Sequence, residues 1–439
     1  MINPPSTELT SLSIKQLAQA YQNGQTDPSA VTNAYLSEIT YKNTELNAYL
    51  VVTSEAAISS ALASTQRLQS GRTLSPIDGI PIALKDNIDL LGIQTTNGCK
   101  FGPVPKQDAQ VVKRLKAAGV IILGKLNQHE LALGTTTNNP HFGPAHNPVR
   151  TGVTPGGSSG GSGVAVAAKM AVAALGTDTM GSVRIPAAYC GCFGIKPTFG
   201  LISNDGVSPL ARALDHVGPL ARNPADLELM LRAMTNSSLN RVPFELKGLR
   251  VGRVKEIDEA ETHHDMASAY HQFLRELKEF GANIAEISWP DLKMSQARLA
   301  GLLLSEVDAA RAYSDDLLNR PDRFSPEIRA MISYGRDAAQ EKIKGAESIV
   351  SKAGEDVNAS FNEVDVIVTP TAPMPAFEFS ETPPPNQADF TAPANFAGCP
   401  AISIPRGKNA EGLPIGVQIM AAKGRDIGLI RLAQMFAEA

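Results

Sequence analysis

The chain has 439 residues, of which 43% are hydrophobic and 19% charged, the proportions of a folded globular enzyme. A formal net charge of -4 leaves no basic footprint for nucleic acid or an anionic membrane, so the expected partner is a small molecule or another protein. Cys99, Cys190, Cys192 and Cys399 lie in apolar or Gly-rich surroundings; the lone C-x-C is too little for a zinc site, and buried free thiols are expected.

The first ten residues carry neither a basic nor an apolar leader region, which predicts a cytoplasmic protein. Residues 12–70 alternate apolar and polar positions at helical spacing, which predicts surface helices capped at Ser13, Asp27 and Thr53. From Ile80 short β-branched runs appear: Ile80–Leu84, Val120–Leu123, Leu249–Val254, Val364–Thr369, Ala401–Ile404 and Ile415–Met420. Helix-like stretches separate them, such as Ala109–Ala118, which Gly119 stops. The alternation predicts an α/β architecture with a mostly parallel, buried sheet. The Ala/Val stretch Val164–Ala174 reads as a closely packed helix, and the apolar run to Leu175, broken by Lys169, is too short to span a bilayer. Residues 255–360 read as a helical insertion, after which sheet-like runs resume, and Pro370–Pro393 as a long surface loop near the site.

The sharpest local feature is the glycine-serine loop at 156–163, GGSSGGSG. No Gly-Lys-Ser/Thr follows, so it is not a phosphate loop. As a linker it is too short, because it runs straight into the apolar helix. Two readings remain level on the loop alone. One is a nucleophile elbow, although the preceding residues are turn-rich and a later Asp-His pair, Asp215 with His216 or His263, is found only by assertion. The other is a rigid loop that holds two serines at an active site.

A second cluster separates them. Residues 175–187, LGTDTMGSVRIPA, place Ser182 after a short strand at a glycine turn. Acyl transfer from an amide needs a nucleophile beside backbone N–H groups that can receive the developing oxyanion. Upstream, GIPIALKDNID at 79–89 puts Lys85 at the end of an apolar strand. A single lysine in that position is ordinarily a solvated surface charge. Beside two serine-bearing glycine turns, burial would instead lower its pKa toward that of a general base. Asp178 and Arg184 flank the turn and read as an ion pair that shapes it, with surface charges as the plainer alternative.

Together these elements resemble the amidase signature family. The family pattern is a Gly/Ser loop, then G-T-D-x-G-G-S-x-R-x-P, then C-G-x-x-G-x-K-P-T; here the last two read GTDTMGSVRIP at 176–186 and CGCFGIKPT at 190–198. Further matching stretches are DGIPIALKDNID (78–89), KLNQHELALGTTTNNPHFGPAHNP (125–148), LDHVGPLAR (214–222), DVIVTPTAP (365–373), ANFAGCPAISIP (394–405) and GLPIGVQIM (412–420).

The resemblance implies an amidase-signature fold, a large mixed, mostly parallel sheet covered by helices on both faces. It implies one amidase domain over 1–439, with N-terminal helices at 1–75, a signature core at 78–222, the insertion at 255–360 and a C-terminal sheet return at 364–439. It also implies Ser182 as nucleophile, Lys85 as base and Ser158 as the bridging serine, in a cis peptide with Gly157. Thr179, Met180 and Gly181, with Gly157 and Ser159, are the expected oxyanion and substrate-binding groups. Met180 departs from the family, which usually has glycine there; its side chain either alters the turn, projects into the acyl pocket or simply packs.

No cofactor and no metal are expected: His141 and His146 in a turn-rich segment, and His263 and His264 in a polar helix, read as surface histidines without a fitting carboxylate set. The implied reaction is hydrolysis of a small-molecule amide to a carboxylate and ammonia or amine. The alternatives are the glutaminase subunit of a glutamyl-tRNA amidotransferase and a carboxybiuret- or allophanate-type hydrolase; a homodimer or partner subunit is left open. The glutaminase subunit recognises glutamine partly through an acidic residue three positions before the threonine of T-x-P-x-N. Here that segment starts at Thr391 and the position holds Ala388, with Asp389 one step later. Arg329 and Arg336 are the nearby candidates for its substrate-binding arginine.

Overall fold

A computed structural model describes residues 8–240 and 242–437. The first seven residues, on which the expectation of an unsecreted chain partly rests, lie outside it. Eleven strands form one sheet: β1 (Tyr49–Val52), β2 (Pro81–Lys85), β3 (Ile121–Leu126), β4 (Ala173–Asp178), β5 (Phe193–Lys196), β6 (His216–Ala221), β7 (Arg250–Val254), β8 (Asn283–Ile287), β9 (Val366–Pro370), β10 (Ala401–Lys408) and β11 (Pro414–Ala421). Their order across the sheet is β1-β3-β2-β4-β6-β5-β10-β11-β9-β7-β8. Every residue of β2, β3, β4, β6, β9 and β11 is buried, as a sheet covered on both faces requires.

The sheet is mixed, and its parallel share is smaller than the sequence predicts. β2 pairs parallel with β3 and β4, and β7 with β8 and β9, while the other six pairings are antiparallel. Part of the reason is local. A short loop joins β10 to β11, and a hairpin connection can only pair its strands antiparallel.

Each β-branched run seen in the sequence is a strand, with edges shifted by at most four residues. Two edge strands fall where helix was expected: β1 inside the N-terminal stretch and β8 inside 255–360. Both are short and mostly solvent-facing; β8, NIAEI, lacks the apolar run that marks an interior strand, while the run YLVV of β1 is only four residues long and is masked by the helical spacing on either side. Ser13 and Asp27 cap their helices through Gln16 N and Ala30 N, whereas the Thr53 hydroxyl donates to Ile122 O across the sheet. The helix expected over 164–174 spans Gly160–Ala167; it stops before Lys169, whose φ of 60° no α-helix accommodates, and Ala173 already belongs to β4. Among the described residues no helix is long and apolar enough to cross a membrane.

The parallel pairing of β2 with β4 sets Leu84 opposite Leu175, so both strands deliver their C-terminal ends to one edge of the sheet. The glycine-serine loop opens the helix Gly160–Ala167, and that helix's N-terminus arrives at the same edge. Ser162 Oγ donates to Leu175 O, and Ser159 Oγ donates to Thr177 O. In open α/β sheets this carboxyl edge is where ligands bind.

Candidate active site

Lys85 ends β2 with no solvent exposure. Its Nζ donates to Ser158 Oγ at 2.7 Å and to Thr177 Oγ1 at 2.9 Å, and Asn87 Nδ2 donates to the same threonine oxygen at 2.9 Å. Burial lowers the Lys85 pKa to about 7, against the opposing charges of Asp178 and Asp215.

Ser158 is fully buried, and the peptide bond joining it to Gly157 is cis. The absence of a side chain at Gly157 is a steric requirement, since a Cβ there would stand 2.6 Å from the Thr135 carbonyl carbon. Ser159 N donates to Ser182 O at 3.2 Å, which lays the loop directly against the second serine's turn. Ser182 is the more open of the two serines, 9% exposed, and it lines the cavity described below.

Asp178 builds that turn. Its carboxylate accepts from Gly181 N at 2.8 Å, Val183 N at 3.2 Å, Arg184 Nε at 3.0 Å and Arg184 Nη2 at 2.9 Å. Arg184 and Asp178 are both wholly buried, so the plainer reading of two surface charges does not hold. Burial alone would raise the Asp178 pKa, but the Arg184 charge and these donors hold it well below the usual carboxylate range. Arg184 also donates to Thr391 O, Gln418 Oε1 and Asn395 Oδ1, and Asn395 Nδ2 returns to Asp178. The signature core and the C-terminal stretches therefore meet in one buried network.

Two of the expected oxyanion groups are already occupied. Gly181 N–H is given to Asp178 and Ser159 N–H to Ser182 O, so the N–H groups of Thr179, Met180 and Gly157 are the expected donors that stay open among the described residues. Thr391 Oγ1 donates to Met180 O at 2.6 Å and fixes that peptide.

Ser182, Thr179 and Met180 open onto a cavity of about 470 Å³. Leu133, Leu210, Leu299, Leu302 and Met331 make its wall largely apolar, and Pro383, Pro384 and Pro385 close one side, as the proline-rich loop predicts. Its charged lining residues are Arg298 and Glu327. Arg329 and Arg336 are not among its lining residues; Arg336 is exposed and paired with Asp337.

Several site groups escape the sequence reading. Thr177 lies inside the quoted motif, and only the fold turns its hydroxyl onto Lys85. Asp215, weighed in the sequence only as the acid of an elbow, accepts instead from Thr179 Oγ1 at 2.7 Å and from the N–H groups of Leu210 and Ala211; burial pushes its pKa up to about 6. His129 lines the cavity, and burial with the nearby Lys85 charge lowers its pKa to about 4, so it is neutral. Arg298 is 91 residues from its partner Asp389, so no local pattern could couple them.

The histidine expectations need two corrections. His141 and His146 are half-buried and structural: His141 Nε2 lies 2.9 Å from Glu130 Oε1, and His146 Nδ1 accepts from Gly152 N. His263 and His264 do have a carboxylate neighbour, Asp265, on the outer turn of a helix whose N-terminal dipole disfavours a cation. All four cysteines are buried and free, as expected.

Known proteins similar to this chain are numerous. A family model described as Amidase matches residues 30–430. A glutamyl-tRNA(Gln) amidotransferase subunit from Geobacter sp. (strain M21) is 36% identical, over 94% of this chain and 94% of its own. A solved amidase superposes with a TM-score of 0.91 at 30% identity, covering 97% of this chain and 99% of that one. A chain from a vestigial protein complex bearing on the evolutionary origins of an s-triazine catabolic enzyme superposes with a TM-score of 0.89 at 32% identity, over 97% and 98%.

Proposed function

Since the chain belongs to the amidase signature family, we propose that it hydrolyses a C–N amide bond through Ser182, Ser158 and Lys85. The observation that carries this reading is the 2.7 Å contact between a fully buried Lys85, its pKa lowered by that burial, and Ser158 Oγ. Neutral Lys85 takes the Ser158 proton while Ser158 takes that of Ser182, whose Oγ attacks the carbonyl carbon. The oxyanion is received by the N–H groups of Thr179 and Met180 in a cavity whose apolar walls strengthen such bonds. The proton returns from Lys85 through Ser158 to the departing nitrogen as the C–N bond breaks, leaving an ester on Ser182. Water then attacks the ester, giving its proton to the same relay, and the carboxylate leaves as Ser182 is reprotonated.

The setting best supported is that of an amide-hydrolysing subunit in a larger assembly. Full-length likeness to chains named as subunits of an amidotransferase, and to a chain of a vestigial complex, favours it. A specific feature favours a free hydrolase of small amides instead: the Ala388 methyl lines the cavity where the glutaminase pattern calls for an acid. Ammonia release from a panel of primary amides, with Ser182→Ala as the control, tests the chemistry. Full activity in that variant would remove Ser182 from the mechanism. Purification of the tagged chain from its own cells, followed by a glutamine-to-acceptor ammonia-transfer assay, separates the two settings.

A further inference from the structure

We propose that Lys125 is a positioning residue for the base: a bulge in β3 turns it to the face of the sheet opposite Lys85, where it grips Asp86, the residue after Lys85, and cancels that carboxylate's charge. This rests on the amidase reading and adds a second buried lysine to it. The register of the parallel β2–β3 pair carries the argument. Ile82 pairs with Ile122, but Leu84 pairs with Lys125 and Lys85 with Leu126, so β3 takes three steps where β2 takes two. One extra residue reverses the face to which every later side chain points. Without the bulge Lys125 would pair with Lys85, two ammonium groups on one face. Gly124 permits the bulge: its φ is 155°, and a Cβ there would collide with Val51 O of the neighbouring β1.

The bulge sorts charge between the two faces. Lys125 has no solvent exposure, and its Nζ lies 3.2 Å from Asp86 Oδ1 and donates to Asp86 O at 3.1 Å and to Thr95 Oγ1 at 3.3 Å. Asp86 Oδ2 accepts from Thr96 N at 3.1 Å and from the Thr96 hydroxyl. Asp86 N donates to Leu126 O, so the main chain and the side chain of Asp86 are both tied to β3. Burial lowers the Lys125 pKa as it does that of Lys85, but Asp86, in contact, opposes it, as does Asp89 of the same turn. The charges that face Lys85 come from other elements: Asp178 at the end of β4 and Asp215 just before β6, with the neutral His129 after β3. A buried carboxylate without a counter-ion, one residue from the base, would favour the ammonium form of Lys85, which accepts no proton. Held against Lys125, the Asp86 carboxylate leaves no net charge there.

The competing account makes the Lys125–Asp86 pair a strut that fastens the turn at 95–98 to the sheet. The two accounts part in the pH dependence of kcat/KM, measured on the full chain with the fastest primary amide of the panel. In Lys125→Met, Asp86 stays ionised through its Thr96 donors but loses its counter-ion. The acid limb of Lys85 should then move to higher pH by about one unit, the scale of one charge several ångströms away inside a protein. On that limb kcat/KM should fall about 10-fold, while the alkaline plateau stays within about 3-fold of wild type. Adding Asp86→Asn removes the charge and should return the limb to its wild-type position. Lys125→Arg, which keeps the cation, should leave the limb in place. Lys125→Gln, whose amide still offers Asp86 an N–H, carries the same expectation as Lys125→Met and replaces it where that variant does not fold. A limb that stays put while the plateau falls is the strut's signature and overturns the proposal, as does a shift that Asp86→Asn leaves untouched. The amidase reading fails separately: wild-type activity in Ser182→Ala, or an acid limb that survives in Lys85→Ala, removes the base that Lys125 serves. A limb that belongs to Lys85 but ignores Lys125 brings down this proposal alone.

Discussion

Met180 Sδ lies over Gly301 of the helix Met294–Ala312: a Cβ on that glycine would stand 2.7 Å from the sulfur and 2.9 Å from the Phe396 ring. The turn beside Ser182 thus carries a long side chain where the family usually has none, and a bare patch of helix receives it. Met180 packs with Ile185 and Ala388 and also lines the cavity. Of the three roles its sequence position allowed, the structure bears on two: it packs, and it projects into the cavity that Ser182 lines.

Gly301→Ala should therefore act at a distance. The added methyl must push the thioether into the cavity or shift Phe396, an overpacking change that costs about 1–3 kcal/mol. Thermal unfolding should report the stability loss, and KM for a branched or long acyl amide should rise more than for a short one. Equal KM changes for both would mean that the sulfur yields toward Phe396 instead. Adding Met180→Gly should restore the KM of the long substrate.

The acid limb of activity should track Lys85. Its folded pKa is lowered to about 7, and only the unprotonated amine can accept a proton, so kcat/KM should rise as pH climbs through about 7. Asp178 and Asp215 oppose the effect of burial by favouring the ammonium. Asp215→Asn removes one of these charges, so the limb should move to lower pH; Thr179→Val, which deletes a hydroxyl that holds the Asp215 pKa down, should move it the same way by less. A pH–rate profile of kcat/KM for the three proteins decides this. A limb that stays put in Asp215→Asn would mean that Asp215 acts only by holding the turn.

Arg184→Met tests the buried network. Removing the guanidinium leaves Asp178 charged, buried and short of two donors, which should cost about 3–5 kcal/mol in urea unfolding. The sign with pH follows from the depressed pKa of Asp178. Its contribution is present above the unfolded carboxylate value of 3.8 and is lost as pH falls toward the folded one. The stability gap between wild type and variant should accordingly shrink in acid. A gap that does not change with pH would place the cost in packing and not in charge.

How far the sequence could be read depended on how local each signal was. β2, β3, β9 and β11 announced themselves because buried strands are runs of β-branched residues, whereas the exposed edge strand β8 has no such run and the four-residue YLVV of β1 is masked by the helical spacing around it. Lys85, Ser158 and Ser182 were legible because their glycine-bordered motifs are local and the family orders them. The occupation of Gly181 N–H by Asp178, and the meeting of Arg184 with Gln418 from 234 residues away, are products of register and could not be read from any window of sequence. Arg298 has no motif around it. Only the fold brings it to the cavity, whose lining includes neither Arg329 nor Arg336.

Gly181 offers the sharpest test of the turn. Its φ of 136° disfavours any side chain, and a Cβ there would collide with Thr391 Oγ1, the hydroxyl that holds Met180 O. Gly181→Ala should therefore displace the Met180 peptide and spoil an oxyanion donor, lowering kcat by about 100-fold or more with a smaller change in KM. Strain and collision can be separated by repeating the substitution in a Thr391→Ala background, which removes the obstructing hydroxyl. If collision dominates, the double variant should recover most of the acylation rate relative to Gly181→Ala alone, even though Thr391→Ala by itself is slower than wild type. If the backbone angle dominates, the two losses should multiply, because an alanine forced to that φ distorts the turn whether or not Thr391 stands in its way.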